Sequence, residues 1–133
     1  MRLNQVHATI LDELSYHVEG ISFNRLASNL RGKISRVTLI RALDTLAKNN
    51  IVSIERDRFH RQKKIFKLSS KIKALIDEMK VHEETTLKDP LNELTSLIHI
   101  YSNKIRETRD DVLKNYLKLR LSKLVSNIIF NII

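Results

Sequence analysis

The sequence predicts a mainly α-helical protein in which three short helices lead into a β-hairpin and further helices follow. Three observations predict it. Two glycines and one proline in 133 residues leave little material for tight turns. Apolar residues recur at helical spacing along most of the chain, but between Ile51 and Leu68 the pattern changes to short β-forming runs. At 42% hydrophobic and 29% charged, the composition is that of a chain able to bury a core.

Leu3, Val6, Ile10 and Leu14 repeat at helical spacing, so a first helix is expected from about Leu3 to Tyr16, with Gly20 breaking it. Ser22 stands where a hydroxyl can accept a free amide of the next first turn. Phe23, Leu26, Ala27 and Leu30 then form the inner face of a second helix, which Gly32 ends. Ser35 is a second capping candidate, and Val37, Leu39, Ile40, Leu43 and Leu46 carry a third helix to about Lys48. Asn49 and Asn50 stop it, since Asn tolerates the left-handed backbone that helix ends use. Ile51, Val52 and Ile54, then Ile65, Phe66 and Leu68, are β-formers on either side of the polar stretch Glu55 to Lys64, which reads as a hairpin.

Helical spacing returns after Ser69 and Ser70, with Ile72, Leu75, Ile76 and Met79 on one face. Thr85, Thr86 and Asp89-Pro90 mark a boundary, with Asp89 as cap and Pro90 at the first helical position. Leu91, Leu94, Ile98, Tyr101 and Ile105 alternate at three and four, and so do Leu117, Leu121, Leu124 and Ile128, as in a coiled-coil seam. Thr108 to Asp111 can cap a new helix, so one long helix and two shorter ones both fit Leu91 to Ile133. The expected division is a domain over 1–70 and a helical extension over 71–133.

The net charge of +9 is concentrated. Between Arg31 and Lys73 stand thirteen Lys and Arg against three acids, a net of +10, while the rest of the chain nets −1. A solvated surface does not need such clustering, which points to an anionic partner, nucleic acid first.

Three helices followed by a hairpin is the order of the winged helix-turn-helix. The run Ile34-Ser35-Arg36-Val37-Thr38-Leu39-Ile40-Arg41-Ala42-Leu43-Asp44-Thr45-Leu46, with Ile51-Val52 after it, resembles the recognition helix and first wing strand of MarR-type regulators. Leu26-Ala27 resembles the preceding helix of that family, and Lys64-Ile65-Phe66-Lys67-Leu68-Ser69 the second wing strand. The resemblance covers about Ser22 to Leu75. The glycines usual before the first wing strand and in the helix after the wing are Asn50 and Ile72 here. The extra helices follow the winged domain, an arrangement closer to PadR-like regulators. The resemblance implies a mainly α winged helix-turn-helix with a C-terminal helical dimerisation extension, and a transcriptional regulator that binds double-stranded DNA.

A reading helix needs one face that packs and one that faces the groove. Leu39, Leu43 and Leu46 fall on the packing line; Ser35, Arg36, Thr38, Arg41 and Thr45 fall off it, toward the half that reaches base edges. Arg can bond two guanine acceptors at once, while Ser35 serves equally as a plain cap. In the wing, Arg56, Arg58, His60, Arg61, Lys63 and Lys64 would neutralise phosphates or enter the minor groove. Phe59 reads as a structural prop for the wing, with contact to a sugar as the other reading.

Other chemistries find little. The five histidines show no pairing at helical spacing and no cysteine is present, so no metal site is expected. With no phosphate loop, nucleophile motif or carboxylate pair, the chain is not expected to be an enzyme, and no cofactor is expected. No residue demands a small-molecule effector. The apolar tail is too short to span a bilayer, so the expectation is a cytoplasmic, nucleoid-associated protein without membrane contact. The C-terminal helices carry more apolar positions than one packing face uses, so Leu94, Ile98, Tyr101, Leu117, Leu121, Leu124 and Ile128 are expected to build a homodimer. Two other readings fit the same residues: a winged-helix protein-interaction or assembly module, and a sequence-neutral chromatin or replication protein.

Overall fold

A computed structural model of the chain describes residues 2–60, 63–84 and 89–132. The elements run α1 (Gln5–Leu14), β1 (Ile21–Ser22), α2 (Phe23–Asn29), α3 (Arg36–Lys48), β2 (Val52–Arg56), β3 (Lys64–Leu68), α4 (Ser70–Glu84), α5 (Pro90–Glu107) and α6 (Asp111–Ile132). They fall into two compact units, Gln5–Leu75 and Met1–Asn4 with Ile76–Ile133.

In the first unit the core is built from Ile10, Leu11 and Leu14 of α1, Leu26 of α2, Leu39, Leu43 and Leu46 of α3, and Phe66 of β3, all buried. The helix expected from Leu3 to Tyr16 is shorter at both ends. It stops at Leu14 because the chain tightens into successive turns, the amides of Tyr16 and His17 reaching the carbonyls of Glu13 and Leu14. Gly20 then takes φ +93° and leads into β1.

β1 has no counterpart in the sequence reading. Its two residues pair antiparallel with β3, Ile21 against Phe66 and Ser22 against Ile65. The sheet order is β1-β3-β2, and β2 and β3 form the expected hairpin with Val52 opposite Leu68. Two residues are too few to show an alternation, and only the open edge of β3 makes them a strand.

α4 buries Ile72, Leu75, Ile76 and Met79, as its spacing predicts. Thr85 and Thr86 lie outside the described residues. In the second unit α5 and α6 are separate helices. Asp89 accepts a hydrogen bond from the Leu91 amide at 3.1 Å, with Pro90 in the first turn. Thr108 closes α5, and Asp110 opens α6 by accepting from the amides of Val112 and Leu113 at 2.9 and 3.2 Å. The two helices pack on Leu97, Tyr101, Tyr116 and Leu117, all buried. This differs from the seam the spacing suggests. The stripe Leu91-Leu94-Ile98-Tyr101-Ile105 is split: Leu97 and Tyr101, one turn apart, are buried, while Leu91 and Ile98 remain exposed.

Candidate nucleic-acid interface

Two serine caps set the starts of α2 and α3. Ser22 Oγ accepts from the amide of Arg25 at 3.4 Å, and Ser35 Oγ accepts from the amide of Thr38 at 3.2 Å. The Ser35 hydroxyl also donates to Thr38 Oγ1 at 2.9 Å, so the two residues form one local pair at the start of α3. The far end of α3 closes on Asn49, and Asn50 adopts φ +59° while the Ile51 amide reaches back to the Leu46 carbonyl at 3.0 Å. This is the left-handed closure that two asparagines suggest.

The helix between these caps has three sides. Leu39, Leu43 and Leu46 are buried. Arg36 lies on the flank facing α2, where its Nη2 donates to Asn24 Oδ1 at 3.2 Å and its Cζ sits 4.9 Å from the centre of the Phe23 ring. Phe23 in turn meets Phe66 edge to face at 6.5 Å. The outer side carries Val37, Thr38, Ile40 and Arg41, all exposed, with Asp44 and Lys48 further along as an exposed ion pair at 3.0 Å. Thr45 is half-buried, and its hydroxyl donates back to the Arg41 carbonyl at 3.0 Å. Sequence reasoning missed Val37 and Ile40 as surface residues. The signal was present, because both lie off the line of Leu39, Leu43 and Leu46.

The wing is closed by backbone and by one carboxylate. The Asp57 amide donates to the Lys63 carbonyl and the Lys63 amide to the His60 carbonyl, each at 2.8 Å. Asp57 Oδ1 accepts from the Phe59 amide at 2.8 Å. That hydrogen bond, helped by the positive charge of Lys63, holds the Asp57 carboxyl below the ordinary aspartate range. Glu55 is paired with Lys67 at 3.1 Å. Arg56, Arg58, His60, Lys63 and Lys64 are exposed, and Arg61 lies outside the described residues. Phe59 does not prop the wing: it is 86% exposed, with its amide bound to Asp57 at the wing tip. Between α3 and the wing runs an open groove of about 500 Å³, with Phe23, Ile40, Ile54, Phe66, Lys63 and Lys64 on its walls.

The electrostatic result is one-sided. Arg31, Lys33, Arg41, Arg58, Lys63 and Lys64 are exposed and form no ion pair among the described residues. Two of the three acids of this region are engaged by Lys48 and Lys67. The structure thus brings Thr38 and Arg41 to the outer side of α3 and leaves Arg36 on its flank.

The expected dimerisation residues sit in the second unit. Tyr101 and Leu117 are buried, Leu94, Leu121, Leu124 and Ile128 are half-buried, and Ile98 is exposed. Among the described residues no group of three His, Asp or Glu side chains is placed to hold a metal, and no helix is long and apolar enough to cross a membrane.

No family model matches the sequence, and no match is found among curated proteins. Solved structures do match in shape. A double-mutant form of ZitR from Lactococcus lactis aligns with a TM-score of 0.52 at 18% identity, covering 100% of this chain and 77% of that one. A single-mutant form of ZitR aligns at 0.51 and 19% identity, over 96% of this chain and 76% of that one. The adhesin competence repressor AdcR from Streptococcus pyogenes aligns at 0.50 and 18% identity, over 98% and 82%. ZitR is a zinc-responsive member of the MarR family. The likeness establishes the fold as a winged helix-turn-helix with a C-terminal helical extension.

Proposed function

We propose that this winged helix-turn-helix chain is a homodimeric, sequence-specific transcriptional regulator, working in the cytoplasm on nucleoid DNA. The domain of 1–70 holds DNA, and the extension of 71–133 pairs two copies. α3 reads the major groove through Thr38 and Arg41, with Ser35 and Thr45 at its margins. The wing holds the backbone or minor groove through Arg56, Arg58, His60, Arg61, Lys63 and Lys64. Arg36 acts one step back, by fixing α3 against α2.

One observation carries the reading: six exposed cations that form no ion pair among the described residues stand on α3, on the turn before it and on the wing. A duplex offers a matching row of phosphates. The exposed Leu91, Ile98 and Phe130, with half-buried Leu94, Leu121, Leu124 and Ile128, supply apolar surface for a second copy. A two-fold dimer would set two α3 helices on half-sites about one helical turn apart, so the site is palindromic. Catalysis has no place in this reading.

The test is selection of bound duplexes from a random pool, followed by titration of the best one in salt. A palindrome should emerge, and its affinity should fall on the order of 10³ between 50 and 200 mM salt if roughly six phosphates are contacted. Affinity that hardly changes with salt would count against the proposal. Equal affinity for random duplexes would favour the sequence-neutral reading. No binding at low salt would favour the protein-interaction module.

A further inference from the structure

The outer side of α3 carries two aliphatic side chains that the core does not use. Val37 is 60% exposed and Ile40 55%, although Leu39 and Leu43 beside them are buried. They stand three residues apart, and Arg41 follows Val37 by four, so all three share one strip in the N-terminal half of the helix. Single exposed apolar residues need no explanation, but two on one turn of the helix that faces the partner do. Ile40 also continues into the groove beside the wing, where Lys63 and Lys64 stand.

The surroundings define the partner. Arg31, Lys33, Arg41, Lys63 and Lys64 call for a polyanion, and Val37 and Ile40 call for an apolar contact within it. A DNA major groove offers one such group at base edges, the C5 methyl of thymine. We propose that Val37 and Ile40 read thymine methyl groups, so that A·T pairs lie opposite the N-terminal half of α3. The inference rests on the DNA-binding reading above. The same side chains also reject alternatives. Neither can donate or accept a hydrogen bond, so pressing them against the polar edge of a G·C pair strips water from those groups without replacement. Val37 and Ile40 therefore discriminate in both directions, by the contact they make and by the contact they refuse.

The experiment takes the best duplex from the random-pool selection and a twin in which deoxyuridine replaces every thymidine. Uracil keeps all hydrogen-bonding groups and loses only the methyl. The parent protein should bind the twin about fourfold more weakly for each methyl contacted, since burying one such group contributes about 0.8 kcal/mol. Two contacts then give a loss on the order of fifteenfold. A Val37→Ala/Ile40→Ala variant, altered only at exposed positions and checked by thermal melting, should bind both duplexes alike. If the parent does not distinguish them, methyl reading is wrong while DNA binding stands. If the variant keeps the full uracil penalty, the methyls are read elsewhere and the assignment to Val37 and Ile40 is overturned. If no duplex is bound at low salt, DNA binding itself fails and this inference falls with it.

Discussion

The Arg36 guanidinium lies 4.9 Å from the centre of the Phe23 ring, which joins the first residue of α3 to the first residue of α2. The nearby bond to Asn24 Oδ1 fixes the same contact from a second side. Helix-turn-helix geometry depends on the angle between these two helices, and this contact sits at their shared end. Arg36→Ala should therefore lower stability in urea by about 0.5–1 kcal/mol, the usual range for an exposed cation–π pair. Arg36→Lys should recover only part of it, because an ammonium lacks the flat face that stacks. A change of base preference without any change of stability would show that Arg36 reads DNA directly.

Arg41 is the contrasting arginine, exposed and without an ion pair among the described residues. Arg41→Ala should leave the melting temperature unchanged and cost about 1–3 kcal/mol of DNA affinity, relaxing preference at one base pair. Uniform weakening across all sequences would make it a phosphate contact instead, and the salt slope would then drop by about one.

The two glycines should respond differently to the same change. Gly20 has φ +93°, and a Cβ there would overlap Cγ2 of Ile65 and press on the Phe66 carbonyl. Gly32 has φ +84° but nothing within 4 Å of an added Cβ. Gly32→Ala should cost only backbone strain, about 1–2 kcal/mol. Gly20→Ala adds the overlap at the β1–β3 edge and should cost clearly more, measured by urea unfolding of each variant.

Ile98 is 44% exposed although it lies on the apolar stripe of α5. Ile98→Asp should leave helix content by circular dichroism unchanged and shift the mass measured by light scattering from two chains to one. A dimer that survives this change at micromolar concentration uses another surface.

His7 is buried on α1, and burial holds its pKa below the ordinary histidine value. The unfolded chain then takes up a proton that the folded chain resists. The stability associated with neutral His7 is fully present above the unfolded value of about 6.5 and is lost as pH falls from there through the lower folded value. The urea midpoint should drop over that window, and His7→Gln should flatten the drop.

Local chemistry was readable without coordinates. Ser22, Ser35, Asp89 and Asn50 act on amides and carbonyls within a few residues, so their capping roles follow from side chain and position alone. The change of apolar spacing after Asn50 announced the hairpin for the same reason, and the density of Lys and Arg between residues 31 and 73 marked the cationic segment before any geometry was known.

Tertiary structure decided matters that depend on elements far apart in the chain. Ile21 and Ser22 become a strand only because β3 offers an edge. Arg36 sits on the flank of α3 because Phe23 and Asn24 hold it. Leu97 is buried and Ile98 exposed, though both are apolar and adjacent on α5. Val37 and Ile40 count as core by composition and stand outside by position. Periodicity fixes which residues share a face of a helix, but a face becomes core or surface only when another element covers it, and that is set by packing across the fold.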